Sequence, residues 1–141
     1  MGGVISTPPA LPEVTLHIDR EVVLAYAAIT DDFNPVHVDD VFAAATPFGR
    51  PIAHGMLSLN LIWQSLRQVL GSEVPISLEI RFVRPVLTGT RVTSGGKARR
   101  DGSGYEVWVR DEAGEAVITG VAIPGVAIPG GEGTVAEGHR A

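Results

Sequence analysis

Residues 54–70 have the sequence HGMLSLNLIWQSLRQVL, which is the longest helical pattern in the chain. Apolar side chains cover nearly the whole circumference of this helix. Such coverage is typical of a helix buried within a fold rather than one lying on its surface. Gly71 follows directly, and glycine is the usual residue just beyond a helix C-terminus. The pattern therefore predicts a buried helix over His54–Leu70.

The apolar period changes to two after this helix, which indicates strands. The pair Gly95-Gly96 interrupts one of them and favours a β-bulge there. Sequences rich in Asp and Gly separate the last three strands and predict hairpin turns at residues 101–104 and 111–114. The predicted strands are Ile76–Phe82, Thr90–Arg100, Tyr105–Arg110 and Val117–Ile123.

The N-terminal third contains one short strand and two helical patterns. Residues 14–18 alternate as a strand, and Asp19 is placed to cap a following helix. Val22, Tyr26 and Ile29 lie at spacings of four and three, which predicts the buried face of that helix. A polar turn covers residues 30–35, and a short helix is expected over residues 39–45. The element order predicts an α+β fold, an antiparallel sheet with one helix packed against its face.

A length of 141 residues corresponds to one domain. We expect it to span residues 1–130, with a loose Gly- and Pro-rich lead-in over residues 1–11. The pentapeptide VAIPG occurs at 121–125 and again at 126–130. The first copy can complete the last strand, and residues 131–141 are expected to form a flexible tail.

Composition excludes several classes of protein. The chain has no cysteine, so a disulfide scaffold, a thiolate metal site and a cysteine nucleophile are ruled out. Hydrophobic residues make up 45% and charged residues 19%, as in ordinary globular proteins. No apolar run is long enough for a membrane span, and the N-terminus lacks the pattern of a secretory signal. We therefore expect a cytoplasmic protein with no membrane partner.

The charges are unevenly distributed around a formal net charge of −5. Residues 81–100 hold six basic side chains and no acidic one, whereas the rest of the chain is strongly acidic. This balance argues against nucleic-acid binding, which usually needs a basic domain. The basic stripe suits a small ligand that carries phosphates, although solvated strand faces explain it equally well. It consists of Arg81, Arg84, Arg91, Lys97, Arg99 and Arg100.

The segment from Asp32 to His37, DFNPVH, holds the first candidate catalytic residues. Pro35 breaks the chain between the carboxylate and the imidazole, so both can converge on one point and activate a water molecule. A capping turn beside a loop histidine is an alternative interpretation. Metal binding through Asp32, His37 and Asp39 is another, and it is disfavoured because no further histidine cluster completes a site.

A second segment, residues 48–56, FGRPIAHGM, leads into the N-terminus of the buried helix. Free backbone N–H groups at such an end can stabilise developing negative charge, for example on a thioester oxygen. Gly55 would allow a substrate to approach the backbone closely. Tight packing between helix and sheet is an equally good reason for this glycine.

Together, the two segments strongly resemble the MaoC-like family of (R)-specific enoyl-CoA hydratases and 3-hydroxyacyl thioester dehydratases. The resemblance continues in residues 81–86, RFVRPV, and covers roughly residues 14–123. It implies a hotdog fold, in which a sheet wraps a long central helix, and a homodimer. It also implies catalysis without a metal or another cofactor.

The resemblance assigns roles to individual residues. Asp32 and His37 match the catalytic pair that activates water, and Gly55 matches the residue whose N–H stabilises the oxyanion. Trp63 departs from some relatives, which have smaller residues there, and this leaves the acyl-chain length open. We assign substrate binding to Asn34, His54, Met56, Arg84 and Arg91.

The expected activity is hydration of trans-2-enoyl thioesters of CoA or acyl carrier protein, or the reverse dehydration. The alternatives are a hotdog thioesterase and a non-catalytic or partner-dependent acyl-CoA-binding subunit. Retention of both Asp32 and His37 argues against the non-catalytic alternative. An acyl-CoA-sensing regulator would need a DNA-binding segment, and the sequence contains none.

Overall fold

The computed structural model describes residues 9–125 and 135–137. Helices α1 (Arg20–Thr30), α2 (Pro35–Val38), α3 (Asp40–Ala44) and α4 (Gly55–Leu70) occur with six strands. The strands are β1 (Val14–Ile18), β2 (Ile76–Phe82), β3 (Thr90–Ala98), β4 (Tyr105–Asp111), β5 (Ala116–Pro124) and β6 (Val135–Glu137). None of the described helices is long and apolar enough to cross a membrane.

The strands form one sheet in the order β1-β3-β4-β5-β2-β6. The first five pair antiparallel, and α4 packs against β1, β3, β4 and β5. The core lies between this helix and the inner face of the sheet, where Leu59, Leu66 and Leu78 are fully buried. The predicted α+β arrangement, an antiparallel sheet around a long central helix, is confirmed.

Helix α4 begins one residue later than predicted, with His54 as its N-cap, and it ends as predicted before Gly71. Gly71 has a φ of 77°, a conformation that glycine adopts without strain. One face of the helix remains exposed, because Met56, Asn60 and Gln64 point away from the sheet. The helix is therefore less completely buried within the described chain than its apolar pattern predicts.

The predicted buried face of α1 is wrong at one position. Asp19 caps the helix as expected, accepting a hydrogen bond of 2.9 Å from the Val22 N–H. The residues that α1 buries are Val23 and Ala27, whereas Ile29 is 82% exposed. Ile29 lies in the last turn of α1, beyond Ala27, which is the last residue that the helix buries.

The predicted bulge at Gly95-Gly96 is also wrong. Both glycines pair regularly with β4, and the irregularity lies instead between Val109 and Arg110. The glycines are explained by close packing. A Cβ on Gly95 would lie 2.5 Å from the Trp108 indole nitrogen, and one on Gly96 would lie 2.6 Å from a Leu11 methyl group.

The contact between Leu11 and Gly96 holds the end of the N-terminal lead-in against the sheet, although the lead-in was predicted to be loose. Leu11 is only 4% exposed, and its N–H donates to the Gly96 carbonyl at 2.9 Å. Ala98 also donates to the Pro9 carbonyl at 2.9 Å. The segment is held because it extends the sheet beside β3. Residues 1–8 lie outside the described residues.

The expected flexible tail contains a short strand. Val135–Glu137 pairs in parallel with β2, with Val135 opposite Leu78. Backbone pairing along an exposed edge strand explains this departure, because such an edge has unpaired N–H and C=O groups. The second VAIPG copy lies outside the described residues, and the domain boundary near residue 130 stays a prediction.

Candidate active site

A cavity of about 290 Å³ lies where the C-terminus of α1, helix α2 and the N-terminus of α4 meet. Five predicted site residues line it, whereas Asn34, Arg84 and Arg91 do not. The lining residues are Tyr26, Thr30, Asp32, His37, Ile52, Ala53, His54, Gly55, Met56 and Phe82.

The end of α1 presents Asp32 to this cavity. Asp31 adopts the left-handed conformation that ends the helix, with a φ of 55°. The Asp32 N–H then donates to the Ala27 carbonyl at 3.0 Å. Its carboxylate Oδ1 accepts a hydrogen bond of 3.2 Å from the Asn34 N–H, while Oδ2 lies 4.0 Å from His54 Nε2. The capping turn and the exposed carboxylate therefore coexist, each using a different oxygen.

Helix α2 positions His37, and the sequence analysis missed this helix. Asn34 is its N-cap, and the Asn34 side-chain oxygen accepts from the Val36 N–H at 3.0 Å. Pro35 follows at the first helical position, where its missing N–H costs nothing. The signal was therefore present in the Asn-Pro pair. Asn34 shapes the site through the backbone, because its side-chain oxygen is used as a cap.

One hydrogen bond determines the tautomer of His37. Its Nδ1 lies 2.7 Å from the Ile52 carbonyl oxygen, which can only accept, so Nδ1 carries the proton. Nε2 of the neutral ring is then free to accept a proton. Burial lowers the pKa of His37 and the neighbouring His54 adds to this, while the Ile52 bond and the Asp32 charge oppose it. The ring is therefore kept in its basic form.

His54 lies beneath the predicted catalytic pair and is only 5% exposed. Its Nε2 lies 2.9 Å from the Asp32 backbone oxygen, and its ring stacks on His37 with a centroid distance of 3.9 Å. The Tyr26 ring lies 5.1 Å away on another side. We predicted His54 as a substrate-binding residue, and the structure places it in contact with both predicted catalytic residues.

Gly55 is the first residue of α4, and its N–H belongs to the group that has no partner within the helix. This end of the helix dipole favours negative charge. A Cβ at position 55 would lie 2.8 Å from the Phe82 ring. Close packing against Phe82 therefore accounts for this glycine, and its role toward a substrate oxyanion stays a prediction.

Asp32, His37 and His54 form a group whose potential metal ligands all lie within 4.8 Å of one another. The expectation that no further histidine approaches the pair is therefore wrong. Asp39, which was considered instead, caps α3 by accepting from the Phe42 N–H at 3.0 Å.

The hydrogen bonds of the group argue against a metal centre. The His54 nitrogen nearest the carboxylate is Nε2, which is already committed to the Asp32 carbonyl. His54 would have to release Asp32 in order to act as a ligand. Catalysis without a metal stays a prediction.

The basic residues do not form a continuous stripe. Arg84 lines a second, small cavity beside Gly55 and Phe82, whereas Arg91 lies at the start of β3. Lys97 and Arg99 border a depression at the far end of β3, roughly 20 Å and 26 Å from Arg91 at about 3.3 Å per residue. Acidic Asp101 and Glu106 line the same depression, because the β3–β4 turn brings them there.

Tyr26 and Phe82 are two cavity residues that no sequence motif placed at the site. Each was predicted only as an apolar position of a helix or strand. A hydroxyl on an otherwise apolar helix face was the available signal for Tyr26. Burial, followed by the charge of Asp32, raises the pKa of Tyr26, so its hydroxyl stays protonated. Phe82 had no local signal, because its role depends on Gly55, which is distant in sequence.

A family model described as MaoC like domain matches residues 5–109. The chain belongs to the MaoC-like family. The family predicted from the two motifs is thereby confirmed.

Several curated relatives of this MaoC-like chain have named activities. An (R)-specific enoyl-CoA hydratase from Aeromonas caviae is 46% identical over 74 residues, which are 51% of this chain and 55% of the relative. A 3-hydroxyacyl-thioester dehydratase Z from Mycobacterium tuberculosis is 40% identical over 81 residues, 53% of this chain and 54% of the relative. The chain thus spans about half the length of these relatives.

Solved structures extend the similarity over most of the MaoC-like chain. The (R)-hydratase from A. caviae involved in PHA biosynthesis has a TM-score of 0.71 and 32% identity, covering 82% of this chain and 92% of that one. R-Hydratase PhaJ1 from Pseudomonas aeruginosa has a TM-score of 0.71 and 31% identity, covering 82% and 78%. The expected hotdog fold is confirmed.

Proposed function

We propose that this protein adds water to trans-2-enoyl thioesters to give (R)-3-hydroxyacyl thioesters, and catalyses the reverse dehydration. One observation carries the proposal: the side chains of Asp32 and His37 line the same cavity as the free N-terminus of α4. Conjugate addition of water to a thioester requires a general base and a group that stabilises the oxyanion. The Asp32–His37 pair and the N-terminus of α4 can supply them. The named hydratase and dehydratase relatives support it.

In the proposed mechanism, a water molecule binds between the Asp32 carboxylate and His37 Nε2. His37 takes one proton from it while the water oxygen bonds to the β-carbon. The electrons of the double bond move toward the thioester oxygen, whose charge the Gly55 N–H stabilises. The α-carbon then takes up the proton that His37 received, so that H and OH have been added across the double bond and His37 is neutral again.

We infer a homodimer in the cytoplasm. Large apolar side chains are exposed around the site, which is typical of a surface covered by another protein chain. They include Phe33 at 52% exposure, Val41 at 83% and Phe42 at 49%. Light scattering on the purified chain tests the dimer, and a monomer at micromolar concentration would contradict it.

The activity is tested with crotonyl-CoA and longer enoyl-CoA homologues. We expect the enoyl-thioester absorbance to fall and chiral analysis to identify the (R)-3-hydroxyacyl product. Carrier-bound substrates of equal chain length distinguish CoA from acyl carrier protein as the thioester source. Release of free thiol without a hydroxyacyl product would instead indicate a thioesterase. Absence of turnover with both carriers would indicate a non-catalytic or partner-dependent subunit.

A further inference from the structure

Two buried polar atoms on one face of α4 lack a hydrogen-bond partner among the described residues. They are His54 Nδ1 and Ser58 Oγ. Both residues line the same small cavity at the start of α4. Buried polar groups in proteins are almost always hydrogen-bonded, to protein or to an ordered water molecule. The pair therefore points to a ligand between them.

His54 and Ser58 both line the small cavity beside Gly55 and Phe82, which has a volume of about 20 Å³. A cavity needs roughly 10–15 Å³ to hold one water molecule. Its other walls are largely apolar and include Val86, Val117 and Ile118. The space and the polar partners fit a single water and exclude a larger ligand.

The opposite nitrogen of His54 determines what this water must do. Nε2 faces the Asp32 carbonyl at 2.9 Å, and a carbonyl only accepts, so Nε2 carries the proton. Nδ1 of the neutral ring is then an acceptor. A water molecule can donate one hydrogen bond to Nδ1 and accept another from the Ser58 hydroxyl, so that both buried atoms are hydrogen-bonded.

Two aromatic rings and two charged side chains lie near His54. The His37 ring stacks on it at 3.9 Å, the Tyr26 ring lies at 5.1 Å and the Asp32 carboxylate at 4.0 Å. Arg84 lines the small cavity on the other side. A second positive charge on His54 would oppose proton uptake by His37, which the proposed reaction requires.

We propose that His54 is a positioning residue, held by one water shared with Ser58 in the tautomer that binds the Asp32 backbone and supports the His37 ring. The role in catalysis rests on the proposed function. The tautomer and the water do not, so spectroscopy tests them independently.

The first test uses ¹⁵N-labelled full-length protein and long-range ¹H–¹⁵N spectra of the histidine rings. We expect His54 to carry its proton on Nε2 and to show an unprotonated, hydrogen-bonded Nδ1 at neutral pH. Ser58→Ala should shift the Nδ1 resonance. Ser65→Ala is the matched control, because Ser65 is buried in the same helix but donates to Pro12. A proton on Nδ1, or no response to Ser58→Ala, would overturn the proposal.

The second test compares two substitutions of His54 in the activity assay. Phenylalanine keeps a ring but loses both nitrogens, whereas the amide nitrogen of glutamine can replace the Nε2–H donor. We expect His54→Phe to lower kcat on the order of 10- to 100-fold, the size expected when a catalytic group is displaced by about 1 Å. His54→Gln should recover most of this loss.

The pH profile separates this role from a merely structural one. A positive charge that His54 gains at low pH lowers the pKa of His37, so replacement of His54 by glutamine should move the acid limb of kcat/KM to higher pH. Unchanged kcat in folded His54→Phe, or an unmoved acid limb in His54→Gln, would remove the positioning role. If the unmodified chain has no turnover, the proposed function fails while the spectra still decide the tautomer.

Discussion

Asp32 uses its two carboxylate oxygens for different tasks. Oδ1 holds the turn by accepting from the Asn34 N–H, and Oδ2 is directed toward the histidines. The side chain is 50% exposed, so a water molecule can reach it. An asparagine side chain can still cap the turn, but it cannot act as a proton acceptor.

Asp32→Asn should therefore lower kcat by about 10²–10⁴-fold, the usual contribution of general acid–base catalysis. His37→Gln should have a similar effect, and the double variant should be hardly worse because the two groups act as a unit. Steady-state hydration kinetics provide the measurement. Asp31→Asn and His17→Gln are the matched controls, since both residues are exposed and neither lines the cavity. Near-normal turnover of the Asp32→Asn variant would show that Asp32 only caps the turn and does not take part in proton transfer.

The pKa of His37 makes a prediction about pH. His37 must be neutral to accept a proton, and burial holds its pKa below the ordinary histidine value of about 6.5. Activity should therefore persist as pH falls below that value and be lost only when pH reaches the lowered pKa. The acid limb of kcat/KM measures this in the free enzyme. An acid limb whose midpoint lies above the ordinary histidine pKa would show that the charge of Asp32 affects the pKa of His37 more than burial does.

The start of α4 is determined by its contact with the end of β2. Gly55 lies against the Phe82 ring, and both residues line the two neighbouring cavities. Gly55 does not have a positive φ, so an alanine there would be strained by this contact rather than by its backbone. The backbone N–H to which we assign the oxyanion role is retained in such a variant.

Gly55→Ala should destabilise the protein by about 1–3 kcal/mol, the usual effect of overpacking. It should also lower kcat/KM, because the displaced Phe82 ring lies beside the substrate. Adding Phe82→Leu should restore part of both losses, and chemical denaturation with parallel kinetics measures this. Asn60→Ala is the control for a substitution on the exposed face of α4. Additive losses in the double variant would show that the ring contact is not the cause.

The site shows which contacts local sequence patterns predict and which they do not. Asp32 and His37 were found because they are separated by only five residues, so a single turn brings them together. The contact between Gly55 and Phe82 joins residues 27 positions apart, and no periodicity within either element indicates it. Likewise, His54 was predicted near the substrate, but its bond to the Asp32 backbone depends on how α1 packs against the start of α4.

Across the whole molecule, the sheet separates basic residues that are close in sequence. Arg84 borders the small cavity at the site, while Arg99 lies at the opposite end of β3. The phosphates of a thioester bound at the site lie at the far end of its pantetheine arm, so the reach of this arm decides which basic side chains contact them. Arg91 lies at the nearer end of β3, and we retain it as a substrate-binding prediction.

Arg84→Ala should raise KM for the acyl-CoA with little change in kcat, because phosphate binding is equal in the ground and transition states. The same is expected of Arg91→Ala, and both effects should weaken in high salt. Arg99→Ala is the matched control and should leave KM unchanged. A KM unaffected in both Arg84→Ala and Arg91→Ala would assign these side chains to solvated surface.

The local sequence was sufficient for elements whose signals repeat within a few residues. The apolar circumference of α4, the alternation of β2 to β5 and the capping residue Asp19 depend only on backbone geometry, which is the same in every protein. The local sequence was insufficient where residues that are distant in the sequence come into contact. Leu11 lies over Gly96, His54 holds Asp32, and Arg84 and Arg99 lie far apart, because packing of the helices on the twisted sheet determines which elements touch. These contacts depend on the positions of whole elements, and no short segment carries that information.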